Sequence, residues 1–155
     1  MNDYLAFERK TRKGAVDPKG EPHKNERHYI DFVVSGKSLA EVFETIELDL
    51  IGNFGWTTNR KYEREQISEF VLDREPALAT NRSMFYVCAE CGDIGCGAIT
   101  ARITERGNQI IWSDFAYEDG AEDYDLSEYE DVGPFVFEKT QYRAKFSELE
   151  STRAK

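Results

Sequence analysis

Apolar and polar residues alternate most cleanly at residues 97–105. Ile99, Ala101 and Ile103 fall on one side there, with Thr100, Arg102 and Thr104 on the other. A period of two marks a half-buried strand. The same period recurs at 28–36, where Ile30, Phe32 and Val34 alternate with Tyr29, Asp31 and Val33 until Gly36. Residues 84–88, MFYVC, form a continuous apolar run, which fits a central strand covered on both faces. Residues 110–117, IIWSDFAY, follow the turn pair Gly107-Asn108 and make a third strand of a meander. Residues 3–8 offer the start of a strand, and a short FVF segment lies at 135–137.

Helical spacing takes over in three places. Ser38 and Glu41 form an S-x-x-E capping box before Leu39, Val42, Phe43 and Ile46, predicting a helix over 39–48 with these residues inward. Asn59 caps a second helix, with Tyr62, Ile67, Phe70 and Val71 inside and its end near Arg74, ahead of Pro76. A third spans about 138–150, with Tyr142, Phe146 and Leu149 inward. The remaining stretches read as connectors. They are an aromatic loop at 51–59, an acidic loop at 118–133, and a loop or flexible arm at 9–28. The arm carries seven Lys or Arg against three Asp or Glu. The pattern predicts an α+β fold, an antiparallel β-meander packed against about three helices. A chain of 155 residues reads as a single domain.

Charge changes this picture at one point. The chain has 20 Lys and Arg against 30 Asp and Glu, a net charge of −10. Residues 107–138 hold ten of the acidic residues and no Lys or Arg, so the rest of the chain is neutral. The block also holds Trp112, Phe115, Tyr117, Tyr124, Tyr129, Phe135 and Phe137. Acid mixed with aromatics is the composition of a surface that binds a positively charged partner. The candidate contact residues are Tyr117, Glu118, Asp119, Glu122, Asp123, Tyr124, Asp125, Glu128, Tyr129, Glu130 and Asp131. The opposing reading is a solvated loop that keeps the chain soluble. With a pI near 4.8 the chain is expected not to bind nucleic acid directly. No apolar run reaches the length of a membrane span, and the N-terminus has no signal-peptide core, so the expectation is cytoplasmic with no membrane contact.

The most motif-like string is CAECGDIGCG, which places Cys88, Cys91 and Cys96 at a C-x2-C-x4-C spacing. Zinc in a structural site takes four ligands, and paired Cys on a turn supply two readily. His23, His28 or Asp93 could be the fourth, and Glu90 is the only local base. A redox C-x-x-C is a second reading, although a strand follows where a helix would be expected. The third reading needs no cofactor: Cys88 as a small buried hydrophobe and the glycines as hairpin residues. Two histidines leave little room for a catalytic triad. There is no P-loop or G-x-G-x-x-G. Paired carboxylates for glycosidase-like chemistry are available only in the acidic block, which also lacks a D-x-[DN]-x-[DN]-G calcium loop.

Three strings carry a resemblance: C-A-E-C-G-D-I-G-C-G at 88–97, W-S-D-F-A-Y-E at 112–118 and G-P-F-V-F-E-K-T-Q-Y at 133–142. On these the stretch from Phe85 to Phe146 resembles a largely uncharacterised family of short bacterial proteins. The resemblance implies a common fold and brings no catalytic residue. In size, acidity and cytosolic character the whole chain is similar to immunity proteins of bacterial polymorphic or contact-dependent growth-inhibition toxins, an analogy. It implies a non-enzymatic inhibitor that occludes a basic partner such as a toxin nuclease, with the acidic segment standing in for phosphate. The alternative is a small zinc or redox protein built on Cys88, Cys91 and Cys96.

Overall fold

The computed structural model describes residues 2–120 and 126–153, with His23 followed only along its backbone. The chain opens with β1 (Leu5–Arg12), then a short ribbon of β2 (Ala15–Val16) and β3 (Pro22–Lys24), then β4 (Arg27–Val34). β1 pairs antiparallel with β4 along its whole length, Leu5 opposite Val34 and Arg12 opposite Arg27. β5 (Lys37–Ser38) adds to the other side of β4. After α1 (Leu39–Val42) and α2 (Thr45–Leu48) come β6 (Leu50–Gly52) and α3 (Arg60–Phe70). The rest is β7 (Ser83–Cys88), β8 (Ala98–Arg106), β9 (Gln109–Glu118), β10 (Phe135–Glu138) and α4 (Lys139–Arg153). The second sheet is antiparallel, in the order β10-β9-β8-β7-β6. This is the expected α+β fold, with the meander running β7 to β10.

The stretch 9–28 is not a free arm. Its ends belong to β1 and β4, and its middle is the β2–β3 ribbon. Pairing of backbone N–H and C=O groups does not require apolar side chains, so a polar sequence conceals it. Two of the charges of β1, on Lys10 and Arg12, are tied down as well. Lys10 Nζ lies 2.9 Å from the buried Asp31 carboxylate. That carboxylate also accepts from the Tyr86 hydroxyl at 2.5 Å and from Ser38 Oγ at 2.5 Å. β4 is therefore covered on both faces, where alternation predicted one.

The predicted helix 39–48 is two single turns. Ser38 caps α1, accepting from Glu41 N at 3.2 Å. Glu44 then takes φ 53° and Asp49 φ 54°, left-handed values for residues that are not glycine. Each costs on the order of 1–3 kcal/mol and persists only where the surroundings enforce it. The break keeps Leu39 and Phe43 buried and turns Ile46 outward, 87% exposed. That forgoes roughly 1.5–3 kcal/mol of burial.

The 51–59 segment is also more ordered than a loop. β6 pairs with β7, and Phe54 bridges to Ile30, whose N–H donates to Phe54 O at 2.8 Å. This joins the two sheets. A Cβ at Gly52 would overlap the Ile30 carbonyl, so only glycine allows the close approach. The core between the sheets and helices is aromatic: Phe32, Phe54, Phe70, Phe85, Trp112 and Phe146 pack in one cluster. Trp112 Nε1 donates to the Tyr142 hydroxyl at 3.0 Å, which donates to Phe70 O at 2.7 Å, tying β9, α4 and α3 together.

Candidate thiolate site

The cysteine string is the turn between β7 and β8. Gly92 N donates to Cys88 O at 2.9 Å, and Gly92 adopts φ 70° with its Cα face against Trp56. Ile94–Cys96 form a 3-10 turn capped by Asp93, whose carboxylate accepts from Gly95 N at 3.3 Å. Gly97, at φ 99°, returns the chain beside the Tyr117 hydroxyl. These bends bring the three thiols together: their sulfurs all lie within 4.8 Å of one another. Cys91 and Cys96 are exposed and Cys88 is half-buried. Four zinc–thiolate bonds of ~2.3 Å place tetrahedral sulfurs about 3.8 Å apart. Cys91 and Cys96 lie 3.1 Å apart. The turn leads into a strand, not into a helix, which removes the thioredoxin-like context.

Burial pushes the Cys88 thiol up, but the backbone N–H groups of Cys91 and Glu90 and the other two thiols hydrogen-bond to it, and it ends below its ordinary value. Cys96 is pushed up to about 11 by its hydrogen bond to Cys91 and by negative charge on that neighbour. Two thiolates this close repel a third charge, and a bound cation reverses that relation.

The site is braced from the basic stretch. Arg12 reaches Asp49 Oδ2 and Glu90 Oε1, each at 2.7 Å. Arg27 Nε donates to Ala89 O at 2.9 Å, and Asn25 Nδ2 to Glu90 Oε2 at 2.9 Å. Arg12 and then Asn25 hold the Glu90 carboxyl at about 2. A carboxylate this acidic is a poor base at neutral pH. His28 pairs with Glu26 at 3.3 Å, away from the thiols, and the His23 side chain lies outside the described residues. Among the described residues the cluster consists of the three cysteines alone. Arg12, Asn25 and Asp49 were not legible as parts of a site, because their contacts cross 37 to 78 positions of sequence.

The acidic block divides. Glu118 is buried at 2% exposure, not presented. Its carboxylate lies 3.3 Å from Arg82 Nε, accepts from Thr80 Oγ1 at 2.9 Å, and accepts from Thr100 Oγ1. Tyr129 is core too, its ring 5.0 Å from Phe43. Tyr117 is half-buried beside the cysteine turn. Asp119, Glu128, Glu130 and Asp131 are exposed. Glu122, Asp123, Tyr124 and Asp125 lie outside the described residues. Burial removes Glu118 and Tyr129 from any contact surface, because each already has its partners inside the fold.

No helix among the described residues is long and apolar enough to cross a membrane. No protein-family model matches the chain, and no curated protein and no solved structure matches it.

Proposed function

We propose that this chain is a small zinc-binding protein without catalytic activity, with Cys88, Cys91 and Cys96 as thiolate ligands on one turn. The convergence of the three sulfurs within 4.8 Å carries the reading. Three cysteines in a hairpin that only needed a turn have no reason to aim their sulfurs at one point. Soft thiolate ligands select zinc over hard cations. A ligand beyond these three, water or a side chain, completes the four-fold shell. Hydrolytic chemistry at such a centre would require a base beside the metal-bound water, and Glu90 is committed to Arg12. A binding or bracing role therefore fits better than an enzymatic one.

Protein purified without chelator should carry about one zinc per chain by atomic emission. Cys91→Ser and Cys96→Ser alter exposed side chains, so each should lose the metal while keeping the far-UV CD spectrum. Wild-type protein that holds no zinc, and takes none up on titration with zinc chloride, removes the reading.

A second reading is supported by the exposure of Asp119, Glu128, Glu130 and Asp131 in a stretch without Lys or Arg. In it the chain inhibits a basic protein, such as a toxin nuclease, by occupying its phosphate-binding cleft. Opposite charge steers such an encounter. Reversing Glu128, Glu130 and Asp131 to Lys should slow association with a cognate toxin domain by roughly tenfold at low salt. An unchanged rate takes this loop out of the contact.

A further inference from the structure

The sequence places Val42 and Ile46 on the inner face of one helix, and the structure places them outside. Val42 is 42% exposed, Ile46 87% and Leu48 41%. Ile46 lines a groove of ≈ 490 Å³ together with Tyr29, Ala40 and Thr45, with Glu41, Glu44 and Glu47 along it, while Val42 and Leu48 lie outside its lining. Among the described residues the one cation lining the groove is Lys10, which is committed to Asp31 at 2.9 Å. Exposed apolar residues beside a concavity are the usual mark of a contact site. They occur here where a strained, left-handed Glu44 overrides an otherwise good helical pattern. Such departures from local preference concentrate at functional positions.

Electrostatics selects the occupant. Nucleic acid and anionic lipid are repelled by Glu41, Glu44 and Glu47. A symmetric dimer through this face would set the same three carboxylates of two copies against one another. A segment of another protein that carries apolar side chains among Lys or Arg satisfies both the groove and its rim. We propose that the α1–α2 face docks a basic amphipathic segment of a protein partner, with an apolar side chain seated against Tyr29, Ala40 and Ile46 and cations paired with Glu41, Glu44 and Glu47. The site is independent of the thiolate centre. It rests on the basic-partner reading above for the sign of the partner's charge, and it gives that partner a groove in place of a loop. The two acidic regions adjoin, because Tyr129, next to Glu128, packs on Phe43 of the α1–α2 break.

The test uses the full chain and a synthetic amphipathic helical peptide of Leu and Lys, followed by amide shifts in NMR titration. The inference expects shifts centred on residues 41–48, and binding weakened about tenfold by Ile46→Asp and by Glu47→Lys. Both positions are exposed, so the fold is retained and CD verifies it. A peptide of equal charge with Ser for Leu should bind about tenfold more weakly, which separates docking from bulk attraction. Loss confined to the Glu128, Glu130 and Asp131 reversal overturns the groove and leaves the loop reading standing. Shifts spread over all acidic surfaces, with no effect of Ile46→Asp, overturn the inference. So does self-association through this face, seen as an Ile46-dependent dimer in light scattering.

Discussion

Replacing Glu118 by Ala is expected to destabilise the protein by about 3–5 kcal/mol, the cost of breaking a buried ion pair. Arg82 is fully buried and Glu118 nearly so, 3.3 Å apart. Thr80 and Thr100 donate to the carboxylate, and Arg82 also donates to Thr100 O at 2.9 Å and to Asp114 O. Truncation removes this carboxylate from a guanidinium that is fully buried beside β7, β8 and β9. Glu130 belongs to the same acidic block and is exposed. Glu130→Ala should change stability by less than about 0.5 kcal/mol. Urea denaturation of the two variants separates a structural carboxylate from a solvated one. The double variant Arg82→Met, Glu118→Leu should recover much of the loss, because a buried pair is worth little net against apolar packing. A cost below about 1 kcal/mol for Glu118→Ala, within the range of ordinary surface changes, would mean that this pair does not hold the sheet.

That pair also shows where sequence reading stops. The block 107–138 was correctly isolated by counting charge, yet charge composition does not say which carboxylate has an arginine 36 positions away. Glu118 reads as one acid in a run, and acids in runs are usually solvated. Its position as the last residue of β9 turns it inward. Tyr129 misleads in the same way: a tyrosine among acids resembles a contact anchor, but its ring fills space against Phe43. By contrast, β7, β8 and β9 were legible because period, apolar run and the Gly107-Asn108 turn agree with one another. α3 was legible because Asn59 caps it as its side chain allows, accepting from Tyr62 N at 3.0 Å.

The cysteine site was legible as a spacing and not as a geometry. C-x2-C-x4-C names three candidate ligands, but their convergence depends on left-handed Gly92, on the Asp93 cap and on bracing by Arg12. Arg12 belongs to the stretch that sequence assigned to an arm. Its β-pairing is carried by backbone groups that leave no apolar signature, so both the strand and its role at the turn were hidden together. The α1–α2 break was hidden for a different reason. Leu39, Val42, Phe43 and Ile46 are a sound helical pattern locally. Packing of Phe43 against Tyr86, Phe115 and Tyr129 is what fixes the two-turn form. Tertiary contacts of that kind override propensity.

Phe32→Ala is expected to cost about 3–5 kcal/mol, a large part of the 5–15 kcal/mol that holds a domain of this size. Its ring is fully buried and meets six others: Phe7, Phe54, Phe70, Phe85, Tyr86 and Trp112, at centroid distances of 5.1 to 6.2 Å. These belong to β1, the 53–59 connector, α3, β7 and β9, so Phe32 on β4 stands where the two sheets and α3 meet. Phe32→Leu keeps most of the volume and should cost less than about 1.5 kcal/mol. Trp112 reports from the second sheet, 5.7 Å from Phe32. If the sheets share one core, tryptophan fluorescence and far-UV CD should shift together to the same lower urea midpoint in the Ala variant. Separate midpoints would mean that the β1–β4–β5 sheet unfolds by itself and that the Ile30–Phe54 bridge does not suffice to couple the two sheets. A shared midpoint lowered by only about 1 kcal/mol would mean that the surrounding rings collapse into the gap, since the cost of a cavity depends on how far its walls can relax.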